Sequence, residues 1–291
     1  MSLWSEIVQY TISGITSGSI FAIIGICWSF VYLIAKVMNF ATGEFVMLGG
    51  MITWSLSLKG FGLLQSAVIA ILSTTVIAAI VERTVIRPIK HGTELTYIIA
   101  TIACASVIKG IALLMWGSET RLVKPFFKSE PFQVLGATLN PQVLCVIGYL
   151  VIVTGSLALL LNYTLFGKGL RTCALNQINA ELIGVDTKKM RLFCFMLAGG
   201  LASATGIVTA PITFTGYEVG LLTGLKGLIA AIVGNWTMIG TVSVAMGLGL
   251  VEAFSAGFIS SGLKDLFTLL IVIIFLVLRT LTFLPGRRWI K

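Results

Sequence analysis

Residues 166–190 read FGKGLRTCALNQINAELIGVDTKKM, a polar and basic island between two apolar runs that are each long enough to cross a bilayer. Such an island has to sit in water, because its ammonium, guanidinium and carboxylate groups are costly to strand in hydrocarbon. Its middle, Thr172 to Gly184, sets small or apolar residues (Cys173, Ala174, Ala180, Leu182, Ile183) beside Asn176, Gln177, Asn179 and Glu181. That mixture predicts a short surface helix that grips something along one side. Gly184 supplies a helix stop, and Asp186 can cap the helix that follows. Read alone, the stretch is an ordinary solvated loop with a helical turn.

Outward from this island the chain is built for lipid. Of its residues 57% are hydrophobic and 11% charged, against about 25% charged in a soluble domain. No stretch outside the apolar runs is long enough for a soluble domain, so the expected fold is an all-α integral membrane protein, a polytopic helical bundle. The five cysteines (Cys27, Cys104, Cys145, Cys173, Cys194) include no CxxC pair and read as small hydrophobes. His91 is the one histidine, with no neighbour to share a metal, so metal chemistry is not expected. The net charge of +9 is confined to particular loops, which is how a membrane protein is oriented and not how a nucleic-acid binder is built.

The first span, Thr11 to Ile34, would make roughly 36 Å of helix, sufficient for a 30 Å hydrocarbon core. Gly14, Ser17, Gly18 and Gly25 recur along it at spacings that give a face for close helix packing. A polar knot, Asn39 to Glu44, then opens the apolar run Phe45 to Leu58, which spans only about 21 Å as a helix; this segment is expected to be broken. Further spans are expected over Leu63 to Val81, Leu95 to Gly117, Pro141 to Leu161, Arg191 to Pro211, Gly240 to Phe258 and Asp265 to Phe283. A second short run, Leu221 to Gly234, brings the apolar segments to nine.

Three basic clusters fall on one face: Arg83, Arg87 and Lys90; Lys168, Arg171, Lys188, Lys189 and Arg191; and Arg287, Arg288 and Lys291. That face is expected to be cytoplasmic and to hold the C-terminus, with Ser118 to Asn140 as the main outer loop and the N-terminus outside. The outer loop's own Arg121, Lys124 and Lys128 run against this count. By the same count the two short runs enter from opposite faces. This predicts two inverted repeats, about residues 1–117 and 191–284, with short broken or re-entrant helices and an intervening cytoplasmic loop at about 163–190. Discontinuous helices of this kind end near the bilayer midplane, where freed backbone groups can line a water-filled path.

The residues at those breaks are therefore candidates for a substrate path: Asn39, Thr42, Gly43 and Glu44 in one half, and Gly224, Lys226 and Gly227 in the other. Glu44 at a helix start is favoured by the helix dipole, whereas Lys226 near the start of the second short helix opposes it and has to snorkel or meet a carboxylate. Lys109 and Glu252 lie well inside their spans, where a lone charge costs about 2.5 to 3.5 kcal/mol. They are expected to pair with each other, or Glu252 to face a partner subunit.

Five blocks, NFATGEFVMLGG (39–50), VERTVIRPIK (81–90), GKGLRTCALNQINAELIGVDTKKM (167–190), GLKGLIAAIVGN (224–235) and LVEAFSAGFISSGLKDLFTLLIVIIFLVLRT (250–280), together resemble the permease subunit of branched-chain amino-acid ABC importers, the LivH type. The resemblance implies a bacterial inner-membrane subunit that pairs with a second homologous permease, two cytoplasmic ATPases and an external solute-binding protein. It implies that the loop at 167–190 docks on the ATPase, through Arg171, Ala174, Asn176, Asn179, Ala180, Glu181, Leu182 and Gly184. Relatives carry branched-chain or other hydrophobic amino acids, but also amides, urea and small carboxylates. Two departures stand out: GNWTMIGTVSVAMG (234–247) places Trp236 and Met238 among small residues, which predicts a reshaped pocket, and Leu175-Asn176-Gln177 replaces an acidic or amide pair in the docking loop. The chain has no GxxxxGK(S/T), so no cofactor is expected in it; ATP and Mg would bind the partners. A self-sufficient secondary transporter would need more intramembrane ionisable groups than Lys109 and Glu252, and a membrane-embedded enzyme would need converging acids, bases or metal ligands.

Overall fold

The computed structural model describes residues 3–89, 92–126, 132–134, 137–260 and 262–282. Each of the nine apolar segments is a helix. In chain order these are α1 (Leu3–Ala35), α2 (Ala41–Leu58), α3 (Leu63–Val81, continued by a π-helical turn Glu82–Ile86), α4 (Glu94–Trp116), α5 (Pro141–Tyr163), α8 (Thr187–Thr213), α9 (Val219–Val233), α10 (Met238–Phe258) and α11 (Lys264–Thr282). Two short helices, α6 (Leu165–Leu175) and α7 (Gln177–Leu182), lie between α5 and α8, and the strands β1 (Phe132–Val134) and β2 (Ala137–Leu139) form an antiparallel hairpin before α5. Six of the helices are long and apolar enough to cross a membrane among the described residues, whereas α9 has 15 residues and α2 has 18. The chain is an all-α polytopic membrane protein.

Helix starts follow from local side chains. Thr93, Asn140, Thr164, Asp186 and Thr237 each accept a backbone N–H of the first turn of the helix they precede, relieving donors that would otherwise be orphaned. Two local expectations are corrected. The segment after α1 is not broken within itself: the break precedes it at residues 36–40, where Lys36 takes φ 55°, and Thr42, Gly43 and Glu44 form the first turn of a continuous α2. The single surface helix expected over 172–184 is two helices, because Asn176 is extended (φ −158°, ψ 117°) and its side chain caps α7 by accepting from Ile178 and Asn179.

Helix α1 is the hub, and from Ile20 to Val31 its side chains are buried all round. Its small-residue face does meet neighbours closely: a Cβ at Gly14 would lie 2.8 Å from the Cα of Leu250, and one at Gly18 would lie 2.9 Å from the Cα of Met246, both on α10. By contrast, Leu64, Val68, Leu72, Val76 and Ile80 form an exposed i, i+4 stripe on α3, the pattern of a lipid-facing helix. The principal contacts have an internal order. Helix α1 packs on α9 and α10, α8 packs on α2 and α3, α2 touches α3, α9 touches α10, and α2 crosses α9; exchanging α1 with α8, α2 with α9 and α3 with α10 returns this same set.

The short helices begin beside each other and run apart. A Cβ on Gly224 would stand 2.8 Å from the Cα of Gly43, and one on Gly220 would stand 2.9 Å from a Glu44 carboxylate oxygen. From there α2 runs towards Trp54, whose ring lies under the Arg121 guanidinium at 4.9 Å. Helix α9 runs towards Trp236, which stacks on Tyr32 of α1 at 4.0 Å between centroids. The two ends of the bundle are thereby distinguished. At the first, the Gln9 side chain exchanges hydrogen bonds with the Thr138 backbone (3.3 and 2.9 Å), and Arg121 pairs with Thr215. At the second, the Arg191 Nε lies 2.9 Å from Glu82 and Gln177 donates to the Ile34 carbonyl at 3.0 Å. The start of α1 therefore shares the end that carries the hairpin β1–β2, opposite the Arg83 and Arg191 clusters. Lys90, His91, Lys128, Arg287, Arg288 and Lys291 lie outside the described residues.

Candidate functional site

A charged cleft lies against the middle of the hub helix. The Lys226 ammonium sits 2.7 Å from a Glu252 carboxylate oxygen and 2.7 Å from an Asp265 carboxylate oxygen, while the Lys264 ammonium is 3.8 Å from the other Glu252 oxygen. Lys226 comes from the middle of α9, Glu252 from α10, and Lys264 and Asp265 from the first turn of α11. Lys226 also stands 5.1 Å over the ring of Phe21, and Phe21 is close to the midpoint of the 33-residue α1. The surrounding cavity, about 290 Å³, is walled by Ile20, Phe21, Val46, Val219 and Leu222 and dotted with the hydroxyls of Ser17, Thr209, Thr213 and Thr223. The inner pair is well covered, with side chains 12% and 9% exposed for Lys226 and Glu252, whereas Asp265 and Lys264 are both 43% exposed and form the rim.

This arrangement compensates the covered cation of Lys226 with two carboxylates from neighbouring helices. The expected opposition of the helix dipole does not arise, since Lys226 is the middle residue of α9 and the dipole acts within the first turn. It also corrects the expected Lys109–Glu252 pair. Lys109, on α4, stands 5.2 Å over the ring of Tyr217, while Glu252 is held by Lys226 and Lys264. Helix α4 packs on α2 and on the π-turn after α3, so Lys109 and Glu252 are brought to different neighbours.

Of the other residues singled out for the path, Asn39, Thr42, Gly43, Glu44, Gly224 and Gly227 sit in the packed helix crossings beside the cleft. Asn39 accepts from the Ala41 N–H at 3.2 Å and Thr42 donates to the Asn39 carbonyl at 2.8 Å, so both finish the start of α2. Glu44 is 2% exposed, and one of its oxygens has no hydrogen-bond partner. Gly227 lets α9 approach α1, since a Cβ there would lie 3.0 Å from the Gly25 nitrogen. Asp265, Lys264, Thr209, Thr213 and Thr223 were not singled out from the sequence, and Ser17 was read there as part of a packing face. Asp265 read there as the start of the last apolar segment, and no local pattern announces that a helix start folds back to the bundle middle. Trp236 does not reshape this cleft; it packs on Tyr32 at the far end of α1.

The second feature is the elbow formed by α6 and α7. Leu170, Cys173 and Ala180 are buried beneath it, and Ala174 is half-buried. Leu175, Ile178, Leu182 and Ile183 are 68–88% exposed. Gly184 adopts φ 86° and closes α7, with its N–H donating to the Glu181 carbonyl and the Val185 N–H to the Ala180 carbonyl, a conformation glycine adopts without a Cβ penalty. Glu181 accepts from the Thr187 hydroxyl at 2.5 Å, and Arg171 donates to Asn162. Asn179 lies on the exposed side with Ile178. Asp186 caps α8 as expected; the Lys189 backbone N–H, and then its ammonium, hold this carboxyl below the ordinary aspartate value. Leu175 and Ile178 were not among the docking residues named from the resemblance, although they carry as much bare apolar surface as Leu182.

Residues 10–277 match the family described as the permease component of branched-chain amino acid transport systems. The chain is 28% identical to the high-affinity branched-chain amino acid transport system permease protein LivH of Escherichia coli (strain K12), over 94% of each chain. It is 25% identical to the corresponding permease protein BraD of Pseudomonas aeruginosa, again over 94% of each. Among solved structures it is similar in fold to PsaBC from Streptococcus pneumoniae in complex with Fab, with a TM-score of 0.51 and 13% identity, over 92% of this chain and 90% of that one.

Proposed function

The chain belongs to the permease family of branched-chain amino acid transport systems, and from that premise we propose that it lines the translocation path of an ATP-driven importer for hydrophobic amino acids in the cytoplasmic (inner) membrane. Its partners are a second homologous permease, two cytoplasmic ATPases that hold ATP and Mg, and an external solute-binding protein that delivers the cargo. The C-terminus lies on the cytoplasmic side.

The observation that carries this reading is the elbow. Leu175, Ile178, Leu182 and Ile183 present a bare apolar edge within a loop whose Lys168, Arg171, Lys188 and Lys189 mark it as cytoplasmic. An apolar edge in water, rimmed by charge, fits a protein partner. The elbow is tied to the hub helix, because Gln177 donates to the carbonyl of Ile34 near the end of α1, and α1 runs from there to Phe21 on the cleft wall. When ATP draws the two ATPases together, displacement of the elbow moves α1 and tips the helix sets against each other. This is a two-state rigid-body change biased by differential contacts. The exchange of packing contacts between the α1–α3 and α8–α10 sets supports the reading of two inverted repeats, which provides such a pair of rocking units.

Reconstitution in sealed vesicles tests the proposal. Uphill uptake should require the permeases, the ATPases, ATP and the binding protein together, and a panel of hydrophobic amino acids, amides, urea and small carboxylates identifies the cargo. Uphill uptake by the permease alone would overturn the proposal in favour of a self-sufficient carrier.

A further inference from the structure

We propose that the Lys226–Glu252–Asp265–Lys264 cleft is a zwitterion seat, in which the ion pairs on the α11 rim are exchanged for the ammonium and carboxylate of an amphoteric cargo with an apolar side chain. The inference rests on the transport reading and adds which residues of this chain hold the cargo.

The cleft's charge pattern selects the ligand. It contains two cations and two anions, so it is balanced without cargo, and a ligand with net charge would leave one formal charge unpaired near the middle of the membrane, where that is costly. An uncharged solute would have to enter without compensating the ion pairs it parted. A zwitterion does neither, since it brings one charge of each sign and leaves the balance at zero. Beside the charges, Ile20, Phe21, Val46 and Leu222 supply an apolar wall, and Thr209, Thr213 and Thr223, whose protons go to the Gly206, Thr209 and Val219 carbonyls, supply hydroxyl oxygens able to accept. Mixed polar anchors on an apolar wall are what fix the orientation of a small ligand.

The two halves of the cluster differ in accessibility, which assigns their roles. Lys226 and Glu252 are deep and bonded to each other at 2.7 Å. Asp265 and Lys264 are on the rim, adjacent in sequence at the start of one helix, and each makes one of the remaining contacts, Asp265 to Lys226 and Lys264 to Glu252. Cargo entering from the rim parts those two contacts first. Its carboxylate then takes the place of Asp265 on Lys226 while Asp265 turns to its ammonium, and Lys264 moves from Glu252 to the cargo carboxylate. No bond other than hydrogen bonds and ion pairs is made or broken. The exchange also frees the first turn of α11 from α9 and α10, so occupancy of the seat and the position of α11 are coupled.

The test uses the complete complex of permeases and ATPases in lipid nanodiscs, with radiolabelled L-leucine as the probe. Two analogues serve as competitors: 4-methylpentanoate, which lacks the ammonium, and leucinamide, which lacks the carboxylate. Wild type should bind L-leucine and reject both. Asp265→Asn, on the exposed rim, should lower the preference for L-leucine over 4-methylpentanoate by about tenfold to a hundredfold, the size of a lost hydrogen bond to a charged group. Lys264→Met should do the same for leucinamide while leaving the first ratio unchanged. Absence of L-leucine binding to wild type, or unchanged ratios in both variants, would overturn the seat. The same preparation assayed for ATP-driven uptake separates the two claims: binding with the expected ratios but no uptake would count against the transport reading alone, whereas ATP-driven uptake with unchanged ratios in both variants would count against the seat alone.

Discussion

Gly43 and Gly224 bring the first turn of α2 and the second turn of α9 within backbone contact, so close that a Cβ on Gly224 would stand 2.8 Å from the Cα of Gly43. Two helices that start at the same depth and leave in opposite directions can approach this way only where neither carries a side chain at the crossing. The Glu44 carboxylate lies beside both starts, where the N-terminal ends of the helix dipoles favour an anion.

Gly224→Val should therefore be poorly tolerated. Overpacking against backbone costs about 1–3 kcal/mol or more, and here neither helix can shift without moving the hub. Gly247→Ala on α10 is the control, because nothing lies within 4 Å of a Cβ at that position. Thermal unfolding of the detergent-purified complex should show a clear drop for the first and little change for the second.

Arg191 and Glu82 clasp the π-turn after α3 to the start of α8. Glu82 is fully buried, and among the described residues its ionic partner is the Arg191 guanidinium at 2.9 Å. Arg191→Met leaves that carboxylate uncompensated, which costs about 3–5 kcal/mol when a buried pair is broken. The double variant Glu82→Gln with Arg191→Met should recover much of the loss. Stability of the three variants by thermal denaturation checks this, and no recovery in the double variant would mean that packing and not charge dominates at the clasp.

The elbow can be tested without disturbing the fold. Ala180 is buried, so a charge there would wreck α7 itself, and Gly184 is needed for its turn. Ile178→Asp and Leu182→Asp instead alter side chains that are 72% and 80% exposed. Such surface changes shift stability by about 0.5 kcal/mol or less, yet loss of a central apolar anchor weakens an interface by about 2 kcal/mol or more, roughly 30-fold. Pull-down of the ATPase should fail while the permease remains in the membrane. Gln177→Ala should keep the ATPase bound and lower uptake relative to ATP hydrolysis, because it cuts the tie to α1.

Acidification should loosen the same region. The Asp186 carboxyl is held below its ordinary value by the Lys189 N–H. A depressed folded value means that the stabilisation is complete above the unfolded value, about 3.9, and fades as pH falls through the lower folded one. Hydrogen exchange of the Lys189 amide, corrected for intrinsic rate, should lose protection over that range, and Asp186→Ala should lack the protection at every pH.

Much of the fold was legible along the chain. Apolar runs separated by polar or basic breaks located nine helices, because lipid requires each span to satisfy its own backbone hydrogen bonds. The glycines of α1 foretold a close-packing face, and Gly184 and Asp186 foretold the end of α7 and the cap of α8, since these depend on neighbours one to four residues away. The split of the elbow at Asn176 was missed because an asparagine both ends one helix and caps the next, and nothing in its spacing says so.

The sequence by itself determined that the chain lives in lipid, how many apolar helices it has and where the basic loops gather. Those outcomes follow from hydropathy and local backbone chemistry. Only the tertiary structure decided which charges meet: Lys226 with Glu252 and Asp265, 26 and 39 residues away, and Lys109 with the Tyr217 ring. A buried charge fixes that it must be compensated, but its partner depends on how three successive helices fold back on one another, and no local spacing encodes that convergence.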